Sequence, residues 1–155
     1  MFYTIDTIKS ISHSLHSRSR RLVLATGFFD LLHIEHINFL KKAARAGDTL
    51  IVGVESDARA KAQKGEGRPI EIQVVRAQKV REYAQYVILL PDDFDNQAAY
   101  NSLLSSVRPH YYAVSSHTSF LDNKRLLCKK YGCELVVVHT WNPSVSTTQI
   151  VSSKV

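Results

Sequence analysis

The chain has 155 residues, 45% of them apolar and 22% charged, and twenty Lys and Arg against fourteen Asp and Glu give a net charge of +6. That length suits a single domain spanning residues 1–155, and the apolar fraction excludes disorder. The basic excess favours anionic partners: nucleic acid, phosphorylated metabolites or a membrane surface.

Ile5, Ile8, Ile11 and Leu15 recur at helical spacing near the N-terminus. The segment MFYTIDTIKSISHSLHSRSRR has no long apolar stretch, so no secretory signal is expected. Leu22–Thr26 then reads as a buried strand. Ile37, Leu40, Ala43 and Ala44 predict a helix that stops at Gly47 as its C′ residue. Further strands are predicted at Thr49–Val54, Tyr86–Leu90, His110–Val114 and Glu134–His139. Between them, helices are predicted around Val74, Val75, Ala77 and Val80, then Ala98, Leu103 and Leu104, then Leu121, Leu126 and Leu127. Apolar runs such as Leu22–Ala25 and Leu135–Val138 are too short to span a bilayer. Cys128 and Cys133 form no CxxC pair, which argues against a disulfide framework and for a reducing, cytoplasmic setting.

Strands alternating with helices imply an α/β fold: a doubly wound, five-stranded parallel sheet with helices on both faces. Ligands of such sheets bind beyond the carboxyl ends of the strands. Functional residues are therefore expected just after Thr26, Val54, Leu90, Val114 and His139.

The turn after the first strand, Thr26-Gly27-Phe28-Phe29-Asp30-Leu31-Leu32-His33-Ile34-Glu35-His36, lacks the glycine spacing of a dinucleotide fingerprint or a P-loop. It carries instead His33 and His36, three apart where a helix begins. Imidazoles beside the free N–H groups of a helix start suit a phosphate. A solvated histidine pair and a metal site are the competing readings, but no third ligand comes at suitable spacing, and no protein metal site is expected.

The stretch GFFDLLHIEHINFLKKA resembles the G-x-F-D-x-x-H-x-G-H signature of the cytidylyltransferase-like nucleotidyltransferases. VGVESDARAKAQKGEGRPIEIQVVRA resembles their S-D-x-x-x-x-K-x-x-K-G-x-x-R-P stretch, and Val145-Ser146-Thr147-Thr148-Gln149-Ile150 their I-S-T-T-x-I. The resemblance covers nearly the whole chain and is strongest to the heptose 1-phosphate adenylyltransferase and glycerol-3-phosphate cytidylyltransferase branch.

It implies a Rossmann-like sheet and an enzyme that transfers a nucleoside monophosphate from a magnesium-chelated (Mg2+) triphosphate to a small phosphorylated acceptor, releasing pyrophosphate. It also implies a homodimer; no nucleic acid is expected, because Arg18, Arg20, Arg21, Lys41 and Lys42 cluster without interleaved aromatic residues, and no membrane partner is expected. On this reading Thr26, Gly27, Phe28 and Phe29 line the nucleotide site, and His33 and His36 stabilise charge on the phosphates. Lys64 and Arg68 close over the triphosphate from the KGEGRP loop, Arg76 binds phosphate, and Ser146, Thr147 and Thr148 receive the β- and γ-phosphates. Lys61 is a weaker ligand, Asp30 a residue that holds the turn, and Asp57 a cap for the following helix.

Four departures from the pattern stand out. Glu35 replaces the glycine between the histidines; about 4 Å from a phosphate, its carboxylate would be repelled by roughly 4 kcal/mol at an effective dielectric of 20. It must turn away, help to hold magnesium, or mark altered nucleotide binding. Val75 replaces the acid before Arg76. Val114-Ser115-Ser116-His117-Thr118 replaces a glycine- and aspartate-containing turn, bringing in His117 as a contact for base or acceptor. Trp141-Asn142-Pro143-Ser144 replaces the R-T-x-G of the cytidylyltransferases, so AMP is favoured over CMP and Trp141 is placed to wall the pocket. The alternative reading is a non-catalytic nucleotide-binding or regulatory protein on the same fold.

Overall fold

A computed structural model describes residues 1–142 and 150. Five parallel strands form one sheet in the order β3-β2-β1-β4-β5. They are β1 (Leu22–Gly27), β2 (Thr49–Val54), β3 (Tyr86–Leu89), β4 (Tyr111–Ser115) and β5 (Glu134–His139). The order reverses between β1 and β4, which makes that junction the switch point where ligands of doubly wound sheets bind.

Side-chain alternation along β1 builds both faces of the core. Leu22 and Leu24 point to one cluster, with Ile8 and Leu15 of α1 (Ile5–Ser17), Leu103 and Leu104 of α5 (Gln97–Val107) and Leu127 of α6 (Leu121–Tyr131). Val23 and Ala25 point to the other, with Phe39, Leu40 and Ala43 of α2 (Ile34–Arg45) and Ala77 and Val80 of α4 (Gln73–Val80). A strand covered on both faces needs a continuous apolar run, and β2 is buried along its whole length.

Three local expectations need correction. β5 is apolar but not wholly buried; as an edge strand it leaves Val137 52% exposed. Gly47 is the C′ residue of α2, as expected, but not for the expected reason, since its backbone is not left-handed. A β-carbon there would sit 2.8 Å from the Arg21 carbonyl oxygen, so close approach is what selects glycine. Helix α3 (Asp57–Lys64) is capped by Ser56, whose hydroxyl accepts from Arg59 N at 3.1 Å, and not by Asp57.

β1 and β2 pair along six residues, but β1 and β4 only at Val23↔Tyr111 and Leu24↔Tyr112. Past Leu24 the two strands part. The crevice opens there, bridged at its floor by a hydrogen bond between the Thr26 and Tyr112 hydroxyls at 2.9 Å.

Candidate active site

A cavity of about 670 Å³ lies over the parted strands, within the range that holds a nucleotide-sized ligand. Thr26, Gly27, Phe28, Phe29, His36, Lys64 and Arg68 line it. Ser146, Thr147 and Thr148 lie outside the described residues.

The two histidines start α2 as a reciprocal cap. His33 is the N-cap residue, and its Nδ1 accepts from Glu35 N at 3.2 Å; His36 Nδ1 accepts in return from His33 N at 3.3 Å. Each Nδ1 is thus occupied by a donor, so each ring carries its proton on Nε2. The rings stack at 3.8 Å between centroids. His33 Nε2 is covered and makes no hydrogen bond to any described residue. Burial, helped by the charges of His33 and Lys64, pushes the His36 pKa down to about 3. Burial lowers His33 as well, against the raising influence of Glu35. Both rings are therefore neutral N–H donors at neutral pH, the form that gives a phosphate oxygen a hydrogen bond without titrating.

The turn before them is strained and then clamped. Phe29 and Leu31 adopt φ values of 54° and 50°, a left-handed conformation that costs bulky side chains about 1 kcal/mol or more each. The intervening Asp30, 2% exposed, accepts from Ile70 N at 2.9 Å, Glu71 N at 3.0 Å and Arg68 Nε at 3.1 Å. Asp30 thus holds the turn and brings Arg68 to the cavity wall. Lys64, beside Arg68, stands 5.5 Å from the Phe28 ring centroid. Lys61 is exposed and pairs with Glu66 at 3.4 Å.

Arg76 is not part of the cavity wall. It is fully buried and donates to the carbonyls of Glu71 (2.9 Å), Phe28 (2.7 Å) and Glu55 (2.9 Å) and to the Asp57 carboxylate (2.7 Å). One guanidinium therefore ties together the turns after β1 and β2, the start of α3 and the entry to α4.

Glu35 resolves the first departure. Its side chain turns away from the cavity and is buried, 7% exposed, where Oε2 accepts from His139 Nε2 at 2.6 Å and from Asn142 N at 3.1 Å. Those two bonds hold its carboxyl below the usual range. Trp141 packs edge-on against His33 (5.5 Å) and His36 (5.4 Å) and stacks on His117 (5.6 Å). His117 and Trp141 both line the cavity.

The sequence did not single out the far end of the cavity, where Glu55, Arg59, Asn96, Tyr100 and Lys124 gather. Arg59 Nε stands 3.8 Å from the Glu55 carboxylate, and Lys124 donates to Thr118 Oγ1 at 2.6 Å. Burial raises the Glu55 pKa, while Arg59 and Lys124 pull it back. Glu55 directly follows Val54, so the strand-end rule pointed to its position; nothing local marks Lys124 on α6.

The model of cytidylyltransferase-like proteins matches residues 24–155. The chain belongs to the cytidylyltransferase-like family. Bifunctional protein HldE of a Nitratiruptor species is 44% identical over 90 residues, which are 57% of this chain and 20% of that protein. HldE of Pelobacter propionicus is 30% identical over 149 residues, covering 94% of this chain and 29% of the relative. The chain thus spans less than a third of the length of these curated relatives. A lipopolysaccharide core biosynthesis protein from Thermoplasma volcanium superposes with a TM-score of 0.61 at 25% identity, over 78% of this chain and 96% of that one. Pantoate-β-alanine ligase from Francisella tularensis, complexed with β,γ-ATP and β-alanine, gives 0.59 at 13% identity, over 99% of this chain and 76% of that one; this likeness shows the fold alone. The family is one of nucleotidyltransferases, and among the described residues no helix is long and apolar enough to cross a membrane.

Proposed function

We propose that this chain transfers AMP from Mg–ATP to the phosphate of a small sugar or polyol phosphate, heptose 1-phosphate being the acceptor that the resemblance implies. The observation that carries the reading is the pair of Nε2–H imidazoles fixed at the start of α2, His36 lining the cavity at the switch point and His33 stacked on it. An acceptor phosphate oxygen attacks the α-phosphorus, the bond from that phosphorus to the α,β-bridging oxygen breaks, and pyrophosphate leaves with magnesium. No protein nucleophile is needed; positioning and charge stabilisation supply the catalysis. His33 and His36 donate hydrogen bonds to phosphate oxygens, and Lys64 and Arg68 offset the charge. Magnesium enters as part of the substrate. Ser146, Thr147 and Thr148 complete the β,γ-phosphate subsite on the strength of the I-S-T-T likeness alone.

The acceptor occupies the end near Arg59 and Lys124, two cations facing a carboxylate, with Glu55 binding sugar hydroxyls. Arg59 Nε is held 3.8 Å from the Glu55 carboxylate, an ion pair and not a hydrogen bond, so the guanidinium keeps donors for a phosphate. Preference for ATP over CTP rests on the lost R-T-x-G and on the HldE relatives. The reading of a non-catalytic nucleotide binder drew on Glu35, Val75 and the altered turn after β4; of these, the Glu35 carboxylate is occupied away from the cavity. A homodimer and a cytoplasmic setting belong to the same proposal; sedimentation velocity of the chain tests the first.

Incubation with each nucleoside triphosphate and a panel of sugar and polyol phosphates is the direct test. Pyrophosphate release is expected with ATP and a sugar phosphate. No release from any pair would overturn the assignment, and Lys124→Ala should raise KM for the acceptor more than for ATP.

A further inference from the structure

Glu35, which occupies the motif's glycine position, does more than avoid the phosphates. It ends a chain of hydrogen bonds that runs from exposed Lys42 to a buried pair, with directions fixed by chemistry. Lys42, on the same side of α2 as Glu35, approaches His139 Nδ1 at 3.0 Å. A lysine ammonium only donates, so Nδ1 accepts and the imidazole proton lies on Nε2. That proton is donated to Glu35 Oε2 at 2.6 Å, which also accepts the Asn142 N–H at 3.1 Å. His139 is the last residue of β5 and only 6% exposed. The His139 imidazole thus links Lys42 to the Glu35 carboxylate.

Trp141 lies between the two residues that Glu35 holds. Its own N–H donates to Ser116 Oγ at 2.8 Å, and the next N–H in the chain donates to Glu35. Both peptide groups flanking the Trp141 side chain are therefore fixed, which sets the indole against His33 and His36. Glycine at position 35 would remove the acceptor for both His139 and Asn142.

We propose that Glu35 is a positioning residue: through His139 and the Asn142 amide it seats Trp141 as the wall over the histidine pair, and so sets nucleotide affinity. The affinity part rests on the nucleotidyltransferase reading; the seating of Trp141 does not.

Trp141 is the only tryptophan in the chain. Its emission therefore reports the wall directly, with no ligand needed. Glu35→Gly is expected to shift that emission to the red, to increase quenching by acrylamide, and to raise KM for ATP about tenfold with a smaller change in kcat. Glu35→Gln keeps an acceptor oxygen for both partners and should retain the wild-type spectrum. Wild-type emission and quenching in Glu35→Gly would overturn the seating of Trp141. A changed spectrum with unchanged KM, or a gain in kcat/KM, would overturn its link to affinity. Should Glu35→Gly fail to fold by circular dichroism, His139→Ala and Glu35→Gln take its place. His139→Ala, which has no donor for Glu35, must then move the emission and Glu35→Gln must not, or the proposal fails. If no triphosphate is turned over, the fluorescence result still stands, so the two readings fail separately.

Discussion

At the scale of single residues, the histidine pair offers neutral donors. His36 titrates near 6.5 in the unfolded chain and at about 3 when folded. Between those values the unfolded chain binds the extra proton, so this group's contribution to stability falls as pH drops below 6.5, by about 1.4 kcal/mol per pH unit. Urea midpoints measured from pH 7 to 4 should show that slope in the wild type and a shallower one in His36→Gln, which cannot titrate. Identical slopes would place His36 in water and not in the cavity wall. Removing one donor with His33→Ala should lower kcat about a hundredfold, as loss of a preorganised donor to a developing charge does. The histidines were legible because two of them fell where a helix begins. The direction of Glu35 was not, because its acceptor role depends on His139, 104 residues away.

At the scale of elements, the strands were readable because β2 is buried along its length and β1 from Leu22 to Ala25, so both carry nearly continuous apolar runs. Helix α3 carried little pattern: in DARAKAQK only Ala60 is buried, so no apolar stripe marks it. What holds these elements around the cavity is Arg76, which looked like a phosphate ligand in the sequence and serves four protein acceptors in the fold. Lysine cannot reproduce a planar fork of donors. Arg76→Lys should therefore cost about 3 kcal/mol in urea unfolding, because it leaves buried carbonyls and a carboxylate unsatisfied. A variant with wild-type stability and a raised KM would assign Arg76 to the ligand instead. Gly47→Ala tests the packing of α2 on β1. Its β-carbon meets the Arg21 carbonyl oxygen and Val23 Cγ2 at 2.8 Å, and overpacking of this kind costs about 1–3 kcal/mol.

At the scale of the whole molecule, alternation of strands and helices dictated a doubly wound sheet, and the switch in strand order dictated where a ligand goes. The sequence could not show that β1 and β4 stay paired only as far as Leu24 and Tyr112. That early parting makes the cavity, and it gives bound nucleotide a mechanical role. A triphosphate reaching from the α2 start to Trp141 and His117 would connect the two sides of the sheet beyond the last β1–β4 pair. Ligand that binds only the folded state at a hundred times Kd stabilises it by about 2.7 kcal/mol. For a chain of this size that corresponds to a rise in Tm of roughly 5–11 °C. Mg–ATP should produce that rise and also slow amide exchange at Ala113, Val114 and Ser115, which lie beyond the last β1–β4 pair. The rise should shrink with added salt, since Lys64 is exposed and ions screen it. Protection confined to α2, with β4 exchanging as before, would mean that the triphosphate lies on one half of the sheet and does not span the switch point.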